Sequence, residues 1–379
     1  MGNAGYEPLQ KVRKNLKVAW YRSPIEHSRL RELMRPSDLQ GWLQAGGHLG
    51  VAIVTGAATV YFFHQGLWIS FTVALFCHGT VATFFKGIAA HELGHGTVFR
   101  TKFLNRLFLR LYSIISWHNF HEYAMSHTYH HRYTLHPRGD REVLLPQHSK
   151  TGMLYFLQLF TFNVFGGLFT SGCIPIVKGT IQTAFGGFGT SVLPKEWSEA
   201  LYFAHPEERR YAIRWARMIL FFHCGVMAVA TITQLWALPL ALTFQQFTAN
   251  WLKHFVGFPM HCGLRSNVPD FRKCVRSITL DPVSEFLYWR MNWHTEHHMY
   301  AGVPCYNLKK LHRLIAHDMP IPRSLVGAWK EMKTTWDRQR VDPDYEFDTP
   351  LPSQGTEKPG DAGLLATSIG DLAPKSLTV

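Results

Sequence analysis

The chain has 379 residues, enough for one large domain or two modest ones. Lys and Arg outnumber Asp and Glu to give a formal charge of +13, a balance that first suggests nucleic acid. The basic residues instead flank uncharged apolar blocks, the positive-inside pattern of a membrane protein, so no nucleic-acid partner is expected.

Residues 1–41 read as a basic cytosolic lead-in without an apolar signal segment. Gly2 is not followed by the Ser or Thr that N-myristoylation prefers. Trp42 to Phe63 is uncharged and, at about 1.5 Å per residue, long enough to cross a hydrocarbon layer of roughly 30 Å. After the short joint His64-Gln65-Gly66, a second uncharged span runs from Leu67 to Phe85 and stops at Lys86. The pair reads as a helical hairpin whose tight end faces away from the cytosol. Phe103 to Trp117 carries Arg106 and Arg110 among apolar residues and reads as an interfacial amphipathic helix. Gly139 to Lys150 is polar loop. Met153 to Gly189 is apolar but broken by glycines, Pro175 and Lys178, and fits one span, a re-entrant pair or surface helices.

Ile213 to Trp251 reads as a second hairpin, with legs Met218–Ala230 and Leu235–Phe247 and Lys253 closing it. From Pro343 to Val379 no apolar period remains, and a disordered tail is expected. Cys77, Cys173, Cys224, Cys262, Cys274 and Cys305 form no tight pair and read as small apolar fillers rather than a disulfide framework. The expected fold is therefore all-α and polytopic, with about four transmembrane helices in two hairpins, interfacial helices and a cytosolic histidine-rich cap. Residues 42–342 form its catalytic domain.

Three segments carry the chemistry. His294, His297 and His298 stand at i, i+3 and i+4, and His127, His130 and His131 repeat the pattern; His91 and His95 stand at i, i+4. These spacings put imidazoles on one helix face, and neutral imidazole is the commonest metal ligand. Both ends of each hairpin lie on the basic side, which places all three segments there. Eight imidazoles exceed what one tetrahedral zinc needs. They suit two metals of higher coordination, with iron, copper, nickel or zinc all compatible. Two redox-active irons fit best if the substrate is a lipid chain, whose unactivated C–H bonds yield only to dioxygen activated at a metal.

The segments His91-Glu92-Leu93-Gly94-His95, His127-Thr128-Tyr129-His130-His131 and His294-Thr295-Glu296-His297-His298 resemble the three histidine boxes of the membrane fatty acid desaturase and hydroxylase family. The run from Asn292 through Tyr306, Leu308 and His312 is similar to that family's extended third box, and the likeness covers roughly residues 42–312. The resemblance implies a non-haem di-iron oxidoreductase in which the eight box histidines bind iron, with O2 as co-substrate and a lipid or acyl substrate in the bilayer. It also implies a further histidine ligand upstream of the third box, for which His261 is the better match and His254 the competitor. Glu92, Asn292 and Glu296 are candidates to hold imidazole tautomers. No His-Pro-Gly-Gly occurs, and His136-Pro137-Arg138-Gly139 only approaches it. Electrons are thus expected from a separate cytochrome b5- or ferredoxin-type protein, with the active site on the cytosolic side of the endoplasmic reticulum or a bacterial inner membrane.

Hydroxylation shares its first hydrogen abstraction with desaturation, and the boxes do not separate the two. They are equally silent on substrate, chain length, regiochemistry, organelle and oligomeric state. A lipid or sterol sensor of the same fold should have lost ligands, and none is missing. A zinc protease would use His91, Glu92 and His95 as H-E-x-x-H, with Asp270 in Asn267-Val268-Pro269-Asp270-Phe271 as third ligand, but it leaves six clustered histidines unexplained. His27, His48, His64, His148, His205, His223 and His317 read as interfacial or satisfied buried residues, and His78 as packing. His118 and His121 read as either supporting the site or facing a partner. His312 is expected to orient the third box.

Overall fold

The computed structural model describes residues 7–143, 152–166, 172–188 and 193–352. Among these residues three helices are long and apolar enough to cross a membrane: α1 (Asp38–His64), α2 (Trp68–Gly94) and α5 (Pro206–Thr233). Between α2 and α5 lie α3 (Lys102–Ile115), α4 (Phe120–Tyr133) and three shorter, unlabelled helices. Ser37 caps α1 by accepting from the Gln40 N–H. Gly66, at φ +67°, makes the reversal into α2. In α5, Pro206 opens the helix with Glu207 and Glu208 in its first turn, where the dipole favours both, and Gln234 ends it in the left-handed region. The long helices present bare apolar faces: Ile69 is 85 % exposed, Phe221 82 % and Ile232 80 %. Such a surface is stable against hydrocarbon rather than water, and the molecule is an all-α membrane protein.

The expected fourth span is not a continuous helix. Leu235–Phe247 instead forms one helical turn at Leu238–Leu242 and a 3₁₀ turn at Gln245–Phe247, then passes extended Thr248 and left-handed Ala249 into α6 (Trp251–Gly257). Pro239 removes an N–H, and the segment is too short for a layer of roughly 30 Å even as a perfect helix. A broken backbone at this depth needs side-chain partners, and buried rings supply them. The imidazole of His78 donates to the Ala241 carbonyl (2.9 Å) and the indole of Trp117 to that of Thr243 (2.8 Å). His223 bridges Thr243 Oγ1 (3.1 Å) and the Ile114 carbonyl (3.0 Å). His78 and His223 are thus structural.

α2 does not run straight into the first histidine segment. Lys86 is extended and Gly87 has φ +74°, so the chain kinks before Ala90–Gly94. Amphipathic α3 buries Asn105, Phe108, Leu109 and Tyr112, and Tyr112 stacks on Phe85 at 4.4 Å. Of the undecided stretch, the described residues form two short helices, Met153–Phe160 and Cys173–Ala184. The core runs through Phe84, Phe85, Trp289 and Leu311. The only named strands among the described residues, Ile278–Thr279 and Arg323–Ser324, pair in parallel.

Two expected boundaries shift. Residues 1–41 are more than a lead-in: Leu9 and Val12 of helix Leu9–Asn15 are buried against Trp197 and Tyr129, and α1 already begins at Asp38. Residues 343–352 are more than a tail: the Phe347 N–H donates to the Gly263 carbonyl (2.7 Å) and Lys273 reaches Asp348 (2.7 Å). The remaining tail (353–379), Gly2, His148 and loop residues 144–150 lie outside the described residues.

The broken return packs hard on α2. A Cβ added to Gly79 would lie 2.4 Å from the Thr248 carbonyl oxygen, whereas one added to Gly50 meets nothing within 4 Å. G79A is expected to cost about 1–3 kcal/mol, read as a lowered thermal midpoint in detergent, while G50A holds or raises it. A wild-type midpoint for G79A would contradict this packing.

Candidate metal centre

Three helical pieces bring the box histidines together. The segment after the α2 kink carries His91 and His95, α4 carries His127, His130 and His131, and α7 (His294–Met299) carries His294, His297 and His298. Asn119 caps α4 by accepting from the Glu122 N–H, which starts the helix about two turns before His127. His261 enters from the turn after α6.

The rings sort into two groups in which one candidate ligand atom per residue lies within 4.8 Å of every other. One holds His91, His95, His127, His131 and His297; the other holds His130, His261, His294 and His298. The groups adjoin, for the His131 and His298 rings stack at 4.4 Å. Within the groups, Nε2 atoms face one another: His91 to His95 at 3.1 Å, His91 to His297 at 3.2 Å, His261 to His294 at 3.1 Å and His294 to His298 at 3.2 Å.

What lies behind the rings decides what those nitrogens are. His261 Nδ1 lies 3.2 Å from the Cys274 carbonyl, which only accepts, so the proton sits on Nδ1. His298 Nδ1 lies 3.1 Å from Thr134 Oγ1, whose own proton goes to the His130 carbonyl, so Nδ1 donates there too. His130 Nδ1 donates to Asp140 (2.9 Å) and His127 Nδ1 to Glu142 (2.9 Å). Glu92 lies 3.2 Å from His91 Nδ1 and 3.4 Å from His297 Nδ1, within charge contact but off the line of a hydrogen bond. In the four-histidine group, His130, His261 and His298 therefore turn bare Nε2 lone pairs inward, and His294 has at most one proton there to share. In the other group His127 Nε2 and His131 Nε2 are buried without a partner, at a cost of about 1–3 kcal/mol each.

Except at His130, protonation does not relieve this convergence. Burial, reinforced by neighbouring imidazoles, holds His127, His131, His294, His297 and His298 well below the usual histidine range. Burial lowers His95 to about 4 and His261 to about 3. At His130 burial also pushes down, but the Asp140 carboxylate outweighs it and the net direction is up. Neutral rings with opposed lone pairs about 3.1 Å apart are what nitrogens sharing an ion at roughly 2 Å require. The donor set thus fits a cation in each group, and all-nitrogen ligation suits iron, copper, nickel or zinc.

The other expected residues fall as follows. His254 is outside both groups, with Nδ1 3.2 Å from the Tyr155 hydroxyl. Asn292 donates to the Ile278 carbonyl (2.9 Å), fixing the strand beside the site rather than an imidazole. Glu296 accepts from Ser277 (2.6 Å) and His312 (2.5 Å), tying α7 to helix Leu308–Ile315. Asp270 is taken up by Arg272 at 2.9 Å and belongs to neither group, which removes the third ligand a zinc protease would need. Sequence reasoning passed over Asp140, Glu142 and Thr134. The only signal for the acids was carboxylates in the loop just after the second box. His136-Pro137-Arg138-Gly139 is the turn that brings them back, with the Gly139 and Asp140 N–H groups donating to the His136 carbonyl.

Residues 66–325 match the family profile described as fatty acid desaturase. No curated protein matches the chain.

Removing the charge behind one ring tests this arrangement. D140N is expected to lower metal affinity about 10–100-fold, read as metal per chain after dialysis against a graded chelator. E142Q should act in the same direction through His127. Wild-type retention in both variants would show that these carboxylates do not hold the rings.

Proposed function

Because the chain belongs to the fatty acid desaturase family, and is thus a membrane oxidoreductase of the desaturase and oxygenase type, we propose that it introduces a carbon–carbon double bond into a fatty acyl chain at the expense of O2. The observation that carries this reading is the pair of adjacent, buried, all-imidazole groups. His91, His95, His127, His131 and His297 would hold one non-haem iron, and His130, His261, His294 and His298 the other. When bound, the irons supply the dioxygen chemistry that an unactivated C–H bond demands.

The protein's own residues set the conditions. The Cys274 carbonyl, Thr134, Asp140 and Glu142 keep protons on Nδ1 and so leave Nε2 free for metal. Glu92 serves His91 and His297 together, linking the first and third boxes through one carboxylate. Only His95 and His131 are less than fully buried among the nine, so the five-histidine group opens on that side and the reacting carbon approaches there. The four-histidine group is closed to solvent, which keeps water from its rings. The membrane supplies the acyl substrate, and a separate cytochrome b5- or ferredoxin-type carrier delivers electrons on the cytosolic side, in the endoplasmic reticulum or a bacterial inner membrane.

Purified protein is expected to carry close to two irons per chain and little zinc. Expression in a host with reducing partners should add double bonds to its lipids, and H297A should abolish the product. New hydroxyl groups would move the assignment to hydroxylation; zinc alone, or turnover by H297A, would overturn it.

A further inference from the structure

Against α5 the short return leaves an open groove of about 710 Å³. Its walls are Ile114 at the end of α3, Phe221 and Val229 of α5, and Leu238 and Leu242 of the return. That volume lies within the range of about 300–1,000 Å³ that holds a small ligand. The groove faces outward, for Phe221, Gly225 and Val229 are all exposed. Gly225 keeps its floor open, since a Cβ added there meets nothing within 4 Å.

The groove is apolar except at one end, where Arg217 is its only charged lining residue. Arg217 Nε donates to the Ala184 carbonyl (2.9 Å), which fixes the guanidinium, and its terminal nitrogens meet no carboxylate among the described residues. Arg214 stands one turn earlier on α5, exposed, with its guanidinium over the Tyr211 ring at 6.0 Å. It also has no ion pair among the described residues. Arg110 is exposed one turn before Ile114 on α3, and residues four apart share a helix face. The two helices meet at this level: Tyr211 stacks on His121 at 5.6 Å, and the Arg110 charge bears on that same ring. The nearby acid Glu207 is taken up by Arg210. From Met218 to Thr233 no Lys, Arg, Asp or Glu follows, so the arginines stand where the apolar run begins, the depth of lipid headgroups.

We propose that this groove binds one anionic phospholipid of the bilayer, with an acyl chain along α5 and the return and the phosphate on Arg217 and Arg214. A guanidinium fork matches phosphate oxygens in pairs, and Arg110 adds charge from the facing helix. A zwitterionic lipid makes the same chain contacts with less attraction to the arginines. A second copy of the chain docked on this face about a two-fold axis would set Arg214 and Arg217 against their own counterparts. The bound chain fills the space that the short return leaves open.

Native mass spectrometry of the purified full-length protein tests this, after release from nanodiscs that hold equal amounts of phosphatidylglycerol and phosphatidylcholine with the same chains. One phosphatidylglycerol is expected to stay bound, favoured at least about tenfold over phosphatidylcholine. R214Q/R217Q should erase that preference and R214K/R217K should keep most of it. G225F, which puts a ring into open space in the groove, should remove the retained lipid altogether. R214Q alone leaves the Arg217 bond to Ala184 in place, and should weaken the preference if the double variant does not fold. Equal retention of the two lipids by wild type, an unchanged preference in R214Q, or a wild-type lipid count in G225F would overturn the site. Displacement of the lipid by inorganic phosphate, or a dimer that G225F dissolves, would overturn it as well, in favour of a free-anion site or a subunit interface. Lipid retention is counted whether or not the chain carries iron, so the result stands apart from the metal assignment.

Discussion

The constraint behind this structure is that neutral imidazoles are buried with their lone pairs turned on one another. His261 and His298 keep their protons on Nδ1, and His294 has at most one proton to offer their two Nε2 atoms, so at least one of these nitrogens has no partner within the protein. The arrangement stores unfavourable energy that a bound cation would relieve, and binding one would then be thermodynamically linked to the folded cap. The backbone around it is shaped to hold the rings inward. Kinking α2 at Lys86-Gly87 turns His91 and His95 toward α4. The turn at 136–139 returns Asp140 to His130, and α7 is pinned by Glu296 between Ser277 and His312.

The membrane part answers a different demand with the same chemistry. A return path made of short helical pieces exposes carbonyls that hydrocarbon cannot satisfy. His78 of α2 and Trp117, just past α3, meet two of them, while His223 of α5 and Gln245 of the return itself donate to the Ile114 and Ile115 carbonyls at the end of α3. Histidine is therefore used twice here. In the cap His127, His130, His261 and His298 turn Nδ1 to a protein acceptor and leave Nε2 for the interior of a histidine group; in the bundle the ring is a bridge between elements. Composition does not distinguish these uses, because only the identity of the atoms opposite each nitrogen does.

That distinction marks how far the sequence was legible. The three boxes could be read because helical spacing is local: His294, His297 and His298 share a face in any helix. The choice of His261 over His254 needed the fold, since the two stand on either side of the Gly257 helix end and only the later one turns toward α7. Asp140, Glu142 and Thr134 were passed over because their roles depend on a tight turn and on contacts distant in sequence. The broken backbone of the fourth apolar stretch was not legible for a related reason. Hydropathy registers the apolar content of Leu235–Phe247 but not the effect of Pro239 on its backbone. The basic lead-in hid Leu9 and Val12, whose partners lie in the helix Lys195–Ala204 and in α4.

Burial also explains why so polar a centre can sit at the end of apolar helices. In water an imidazole at neutral pH is partly protonated and would repel a cation. Surrounding it with Phe271, Leu135 and Trp293 removes that competing state, since desolvation drives the rings neutral before any metal arrives. The carboxylates behind the rings are themselves buried, and Asp140 stays below the usual carboxylate range despite burial because His130 and two backbone N–H groups answer it. Asp140 is thus answered within the protein, whereas both oxygens of Glu92 and Oε2 of Glu142 are buried without a hydrogen-bond partner. Were a metal bound, Glu92, Asp140 and Glu142 would set the net charge around it, since the histidines are neutral, and so would tune how oxidising it could be.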